Sequence, residues 1–469
     1  MDFVGAYDAI CKCGEIISQS KNIEKDFSKK FLSQYRERRG KLALTIGKPL
    51  EAAENYEQAA NFADDNSKFS LASSSLLCLN FLDLPSEDLA QAHFQYQELV
   101  KNIKPFSTYH EKNSRIKIGY VSADFRLHAM FPIAFGIIAA HDKNRFEIFC
   151  YSLNDKEDHY TGLFKERAEH FINAKNLSYE ELAKKIHEDN IDILVDLSGH
   201  SAGNVLPVFA YKPAPIQLSG IGYMATTGLS AMDYFITDEI VDPPGEHEKF
   251  FTEKLLYMPS QFCYASRTDV STPDGAPCKK NNFVTYGTIC RYSKINDDML
   301  RIWKIIFDKL TDAKFVLRAQ EFESVSVVNE AYSRMKNFGF NMDQVSFFPA
   351  VNNYFEVIKD LDLILDAYPY VGGSTTLDAI YMGVPVLTIY GERRSARFGL
   401  SILKNFGMEN LAVDTVEDYI NRAIAFAIET DTLDVLHKNL RGMLKKSNAL
   451  NPVFYTKLLE RKFISILND

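Results

Sequence analysis

The sequence has no long apolar run. The longest, Met130 to Ala140, falls far short of the ~18–20 residues that a spanning helix needs, so no membrane span is expected. Positive charge is also in deficit: 53 Lys and Arg stand against 62 Asp and Glu, a net charge of −9. Nucleic acid needs a basic face, so it is excluded as a general partner, although a local basic pocket for a nucleotide is not. The seven Cys are odd in number and scattered, and only Cys11 and Cys13 stand close together. A disulfide framework is therefore not expected, and a reducing, cytoplasmic setting is. The opening MDFVGAYDAI lacks both a basic n-region and an apolar h-region, so no signal peptide is expected. No His/Cys cluster has metal-ligand spacing.

What is present fits two or three domains in 469 residues. Residues 1–112 hold little Gly or Pro and repeat apolar residues at intervals of three and four, as in Leu76, Leu77, Leu79 and Phe81, then Leu89, Ala92, Phe94 and Leu99. That predicts a helical cap. Pro85-Ser86-Glu87-Asp88 marks a helix start, its acids suited to the positive end of the dipole. Asn55-Tyr56-Glu57-Gln58-Ala59-Ala60 gives a weak echo of a helical repeat. A TPR-like remnant and an ordinary cap both stay open.

The pattern changes at Ile116. Short apolar strands are predicted at 116–122, 146–151, 191–197, 216–219 and 234–237, with a helix at 179–190 between two of them. A polar stretch, 266–282, has linker composition. Strands then resume at 283–289, 314–317, 345–348, 363–365 and 385–389, and Asn451-Pro452 opens a last helix. Alternation of this kind gives parallel sheets with helices on both faces. The expected architecture is α/β: a helical cap (1–112), a first Rossmann-like lobe (113–270), a second (281–450) and a C-terminal helix (451–469). Two such lobes are expected to face a ligand cleft at the carboxyl ends of their strands.

The sharpest motif is Tyr368-Pro369-Tyr370-Val371-Gly372-Gly373-Ser374-Thr375-Thr376-Leu377-Asp378. A buried strand leads into two glycines, three hydroxyls and a helix start. Glycines let the backbone approach a ligand, and free N–H groups with the helix dipole favour an anion, here a pyrophosphate. Asp378 could accept from a ribose diol. An N-cap without a ligand is the alternative. Arg291 and Lys294 follow the first strand of the second lobe, where Lys294 could neutralise a departing diphosphate; a solvated loop lysine is the alternative. His128 and His200 follow strand ends of the first lobe. Each is a candidate base or orienting group, with a packed loop histidine as the alternative. Asp360, Asp362 and Asp366 resemble a metal-binding DxD, but they flank an apolar strand and read as structural, so no metal is expected.

These residues resemble the O-linked N-acetylglucosaminyltransferase and SPINDLY family. The resemblance runs from Leu76 to the C-terminus through IKIGYVSADFRLH, DILVDLSGHSAGN, PAPIQLSGIGY, RYSKIND, GGSTTLDAIYMGVPVLTIYGERRSAR and NPVFYTKLLER. It implies a GT-B fold and inversion at the anomeric carbon without a metal or other cofactor. The substrates it implies are a nucleotide sugar and a protein Ser or Thr hydroxyl. By motif, His128 and Lys294 match the catalytic pair. Ser374 and Thr375 match the hydroxyls at the phosphates, Asp378 matches the ribose acid, and Gly222-Tyr223 matches the first-lobe cleft wall. Departures fall at Gly373, Arg291 and Tyr354, where the animal enzymes have His, Gln and a base-stacking His, and at Val357, where Arg is expected.

UDP-N-acetylglucosamine is the expected donor, because Asp378 is Asp where the fucosyl branch tends to Glu; GDP-fucose and UDP-glucose stay open. A non-catalytic substrate-binding subunit is the main rival, and the presence of both His128 and Lys294 argues against it. A nucleotide-sugar 2-epimerase is a second rival, which the ordered motifs do not match. The N-terminal helices are a candidate surface for an oligomer or partner subunit.

Overall fold

A computed structural model describes all residues except 21, 22, 24–26, 66, 108–112, 155, 267–269, 352, 353 and 469. The expected boundary at 112 and part of the expected linker lie outside the described residues.

The chain forms two compact units. One joins Met1–Leu84 to Thr268–Lys446; the other joins Pro85–Arg267 to Ser447–Asp469. The expected division differs in two places. The N-terminal helices are not a separate cap, because residues 1–84 cluster with the second lobe while the helix Ser86–Phe94 belongs with the first. The terminal helix Pro452–Asn468 is likewise part of the first lobe. Composition could not show this, since it identifies an amphipathic helix but not the surface that covers its apolar face.

In the first lobe, seven parallel strands stand in the order β3-β2-β1-β4-β5-β6-β7. They are β1 (Ile116–Ser122), β2 (Phe146–Ser152), β3 (His170–Asn173), β4 (Ile193–Asp196), β5 (Ile216–Ser219), β6 (Tyr234–Asp238) and β7 (Lys254–Met258). All four residues of β4 are buried, as expected for a central parallel strand covered on both faces. The terminal helix packs on the helix Phe131–Ala140. Its Glu460 is buried and accepts from His141 Nδ1 at 2.9 Å and from the backbone N–H of Asp142 at 2.8 Å.

In the second lobe, six parallel strands stand in the order β10-β9-β8-β11-β12-β13. They are β8 (Thr285–Ile289), β9 (Lys314–Ala319), β10 (Val345–Pro349), β11 (Leu363–Leu365), β12 (Val386–Ile389) and β13 (Ala412–Val413). Trp303, the single tryptophan, is buried in the helix Asp297–Lys309 and meets Phe315 edge-on. Helices 3–18, 29–45, 49–62 and 68–79 pack in succession beside this sheet, and the helix 29–45 also contacts the turn Tyr292–Lys294. Gly47, at φ +79°, lies so close to this turn that a Cβ would stand 3.0 Å from the Tyr292 ring.

Both sheets reverse direction beside their first strand, at β1/β4 and at β8/β11. Loops leaving the strands there are where open α/β sheets hold ligands. Among the described residues, no helix is long and apolar enough to cross a membrane.

Candidate active site

In the second lobe the site begins at the end of β11. Asp366 follows the buried Leu363-Ile364-Leu365 and turns its carboxylate onto the glycine loop. Its two oxygens accept the Gly372 N–H at 3.0 and 2.9 Å, and Oδ1 also accepts the Ala367 N–H at 3.0 Å. Burial pushes its pKa up, opposed by those N–H groups and by the Lys294 charge. This pinning aims the chain into the helix Ser374–Tyr381.

Gly373 is the N-cap of that helix and supplies no side-chain cap, so the first turn keeps the unpaired backbone N–H groups that suit an anion. Gly373, Ser374 and Thr375 are partly exposed, whereas Thr376 and Asp378 are buried. A Cβ on Gly372 would stand 2.5 Å from Thr376 Oγ1 and 2.7 Å from Thr375 Oγ1. Glycine is therefore required there by close approach, and both hydroxyls crowd the loop. The short helix Tyr354–Ile358 packs against this one, bringing Tyr354 into the same neighbourhood.

The loop after β8 completes the group. Lys294 ends a one-turn helix, and its Nζ lies 3.4 Å from the centroid of the Tyr370 ring. Burial lowers its pKa to about 8, a shift that the neighbouring Cys290 and Asp366 oppose and Arg291 assists. Arg291 itself is exposed. Asn296 ties the two loops together: Nδ2 donates to the Tyr368 carbonyl at 2.8 Å, while Oδ1 caps the next helix through the Met299 N–H. Thus Arg291, Lys294, Tyr354, Gly373, Ser374, Thr375, Thr376 and Asp378, scattered over 88 positions in the sequence, share one lobe.

In the first lobe, His128 lies in the loop after β1 with its side chain 36% exposed. Nδ1 is 3.5 Å from Asp124 and accepts the Met130 N–H at 3.3 Å. His200 and Tyr223 are corrected by the structure: neither lines an open surface. His200 is 1% exposed and Tyr223 is 3% exposed. His200 Nε2 donates to the Thr227 carbonyl at 2.9 Å, and burial, then the neighbouring His93, drives its pKa well down. Tyr223 donates to His93 Nε2 at 3.0 Å, since His93 Nδ1–H is committed to the Leu89 carbonyl at 2.7 Å. These rings fill the space behind the strand ends and position the loops. Gly222 is fixed by the same packing, because a Cβ there would lie 1.8 Å from the Leu197 carbonyl oxygen.

Of the DxD-like acids, Asp360 is exposed, whereas Asp362 and Asp366 are engaged by backbone. Asp362 is buried and accepts the N–H groups of Cys278 at 2.7 Å and Thr285 at 2.8 Å. Three roles were not read from the sequence: Tyr370 lies under Lys294, Asp366 pins the loop instead of merely flanking a strand, and Arg393 ties in the N-terminal segment. The Arg393 guanidinium donates to the carbonyls of Leu82 and Asn80, joining the N-terminal segment to the lobe. A signal for the pin was present, as the spacing Asp192…Asp196 recurs at Asp362…Asp366, each pair bracketing three apolar residues.

Glycosyl transferase family 41 matches the chain over residues 93–273 and 278–459. A Solanum lycopersicum protein named "Probable UDP-N-acetylglucosamine--peptide N-acetylglucosaminyltransferase SPINDLY" is 30% identical over 405 residues, 83% of this chain and 43% of that protein. A Caenorhabditis elegans UDP-N-acetylglucosamine–peptide N-acetylglucosaminyltransferase is 39% identical over 155 residues, 32% of this chain and 13% of that one. This chain therefore spans less than half the length of these relatives. Among solved structures, a Thermobaculum terrenum O-GlcNAc transferase mutant superposes with a TM-score of 0.85 at 25% identity, over 93% of this chain and 85% of that one. Two Rossmann-like lobes with a helical N-terminal region are the GT-B architecture expected from the motifs, and the chain belongs to glycosyl transferase family 41.

Proposed function

We propose that this chain is an inverting, metal-independent protein O-glycosyltransferase that moves N-acetylglucosamine from UDP-N-acetylglucosamine to Ser or Thr hydroxyls. The observation that carries this reading is the open helix start at Gly373–Thr375. Asp366 pins it, the Thr375 and Thr376 hydroxyls crowd it, and the Lys294 cation stands over the ring of Tyr370 in the same loop. The names of the plant and nematode relatives point to the same donor and to a peptide acceptor, and that of the Thermobaculum terrenum structure to O-GlcNAc transfer.

In the reaction the acceptor oxygen attacks the anomeric carbon from the face opposite the diphosphate. The bond from that carbon to the β-phosphate oxygen breaks, and its electron pair leaves with the phosphate. Negative charge grows there, and Lys294, Ser374, Thr375 and the helix N–H groups stabilise it. Preorganised donors of this kind are worth ~3–4 kcal/mol each at most. Asp378 holds the ribose and Tyr354 stacks on the base. His128 orients the acceptor hydroxyl or takes its proton, a role worth ~10²–10⁴-fold. The seven free cysteines support a cytoplasmic setting.

The test is thermal unfolding with UDP, GDP and UDP-N-acetylglucosamine, since a ligand that binds the folded state raises the transition by mass action. A larger shift with UDP than with GDP is expected. A GDP-selective shift would replace the donor with GDP-fucose, and no shift with any nucleotide would remove the donor site.

A further inference from the structure

A lysine that binds a diphosphate has to keep its charge and its place before the ligand arrives. Lysine is poorly suited to the second task, because its four-carbon stem is flexible and its ammonium has no preferred direction. A carboxylate partner would hold it, but would also compete with the phosphate. Lys294 makes no salt bridge among the described residues, and the carboxylate that acts on it, Asp366, has its oxygens on backbone N–H groups. Its ammonium sits instead on an aromatic face, 3.4 Å from the Tyr370 centroid, well inside the range of a cation–π contact.

That ring is itself held. Phe81 is 2% exposed and stacks with Tyr370 at 5.8 Å and 24° between planes. Phe81 directly follows the helix Lys68–Leu79 and its cap Asn80, and the carbonyls on either side of it, Asn80 and Leu82, are both bound by Arg393.

We propose that Tyr370 is the positioning residue of the diphosphate-binding lysine: its ring face carries the Lys294 ammonium, and the N-terminal helical segment holds the ring through Phe81. This rests on the reading of Lys294 as the phosphate cation. The arrangement gives the N-terminal helices a function in the donor lobe beyond covering its surface. A π face attracts the cation without cancelling its charge, so the outward hemisphere of the ammonium is left for phosphate.

The test uses the full chain and the variants Tyr370→Phe, Tyr370→Leu and Phe81→Leu. Competitive acylation across pH, read by mass spectrometry without ligand, gives the titration of Lys294. Removing the ring face should lower its pKa by about half to one unit, the size of a partly buried cation–π contact. Tyr370→Leu should show this fall, Phe81→Leu a smaller one, and Tyr370→Phe should restore the wild-type value. Calorimetry with UDP and with uridine supplies the second measurement. Tyr370→Leu should weaken UDP about tenfold and leave uridine unchanged. An unshifted Lys294 in Tyr370→Leu, or a Phe variant as impaired as the Leu variant, would overturn the proposal. If Tyr370→Leu does not fold, the Phe81→Leu titration decides. A wild-type chain that fails to bind UDP would refute the phosphate role of Lys294, while the acylation arm would still decide whether Tyr370 holds it.

Discussion

Asp196 and Asp366 carry out the same task in the two lobes. Each stands at the end of the strand beside the first strand of its sheet and turns back to grip the next loop. Asp196 accepts the N–H groups of Ser198 at 3.0 Å and Gly199 at 2.7 Å; Asp366 accepts that of Gly372 at 2.9 and 3.0 Å. Four residues earlier, Asp192 takes the Lys117 N–H at 2.7 Å where β1 begins, and Asp362 takes the Thr285 N–H at 2.8 Å where β8 begins. The two lobes thus share one device, with one acid aligning the neighbouring strand and a second fixing the loop where a ligand can bind.

That equivalence separates stability from donor binding. Removing either carboxylate leaves backbone donors without partners, at ~1–3 kcal/mol each, partly offset by the loss of a buried charge. Asp196→Ala and Asp366→Ala should each lose about 2–4 kcal/mol in denaturant unfolding. Only Asp366→Ala should also weaken UDP, by tenfold or more in calorimetry. Equal UDP affinity in the two variants would contradict the assignment of the donor loop.

Gly372→Ala tests the loop sterically. The added Cβ would meet Thr376 Oγ1 at 2.5 Å and Thr375 Oγ1 at 2.7 Å, and the hydroxyls would have to move. Donor KM should rise by an order of magnitude, with a loss of stability of about 1–3 kcal/mol. A variant with unchanged KM would show that these hydroxyls do not touch the donor.

Much of this was legible in the sequence. β1, β5 and β11 match their apolar runs end to end, because a central parallel strand is buried on both faces and reads as continuous hydrophobicity. The strands β3, β7 and β13 were not. His170–Asn173 and Ala412–Val413 are short and lie on sheet edges, and Lys254–Met258, on the other edge of the first sheet, leaves Lys254 exposed and Leu255 and Tyr257 half-buried. Local chemistry singled out the glycine–hydroxyl stretch as a helix start, and the helix does begin there, at Ser374. His200 was misjudged because a histidine after a strand end looks the same in sequence whether it faces a ligand or packs against Tyr96 and Tyr223. Tyr370 was invisible for a related reason, since its partners Lys294 and Phe81 are distant along the chain.

The lysine sets a pH dependence. With its pKa lowered to about 8, Lys294 loses its proton above that pH in the free protein, and UDP affinity should fall there, by up to tenfold per unit. Lys294→Met should show no such fall. Between about 8 and the usual 10.5 the unfolded chain holds the proton that the folded chain has lost, so this residue makes stability rise with pH in that window. Below it the partly buried charge is a cost, and Lys294→Met should melt no lower than wild type at pH 7. A fall in UDP affinity at high pH that persists in Lys294→Met would assign the effect elsewhere.

Metal independence is tested by chelation. Asp362 and Asp366 spend their oxygens on backbone N–H groups, and a lysine with a helix start can balance the diphosphate. Sugar transfer should be unchanged in excess EDTA and not increased by Mg²⁺ or Mn²⁺. Loss on chelation with recovery on adding metal would reverse this reading.

The most direct measurement is transfer of radiolabelled N-acetylglucosamine from UDP-N-acetylglucosamine to proteins of a host lysate by wild type and Lys294→Met, with thermal unfolding of both. The interaction with Lys294 strengthens as charge develops on the leaving diphosphate, so its loss should appear mainly in kcat, by about 10²–10³-fold, with a smaller change in donor affinity. Wild type should transfer the sugar, and a folded Lys294→Met should be nearly inactive. A folded mutant with undiminished transfer would contradict the role of Lys294, and a wild type that transfers no sugar from any nucleotide donor would contradict the enzyme itself.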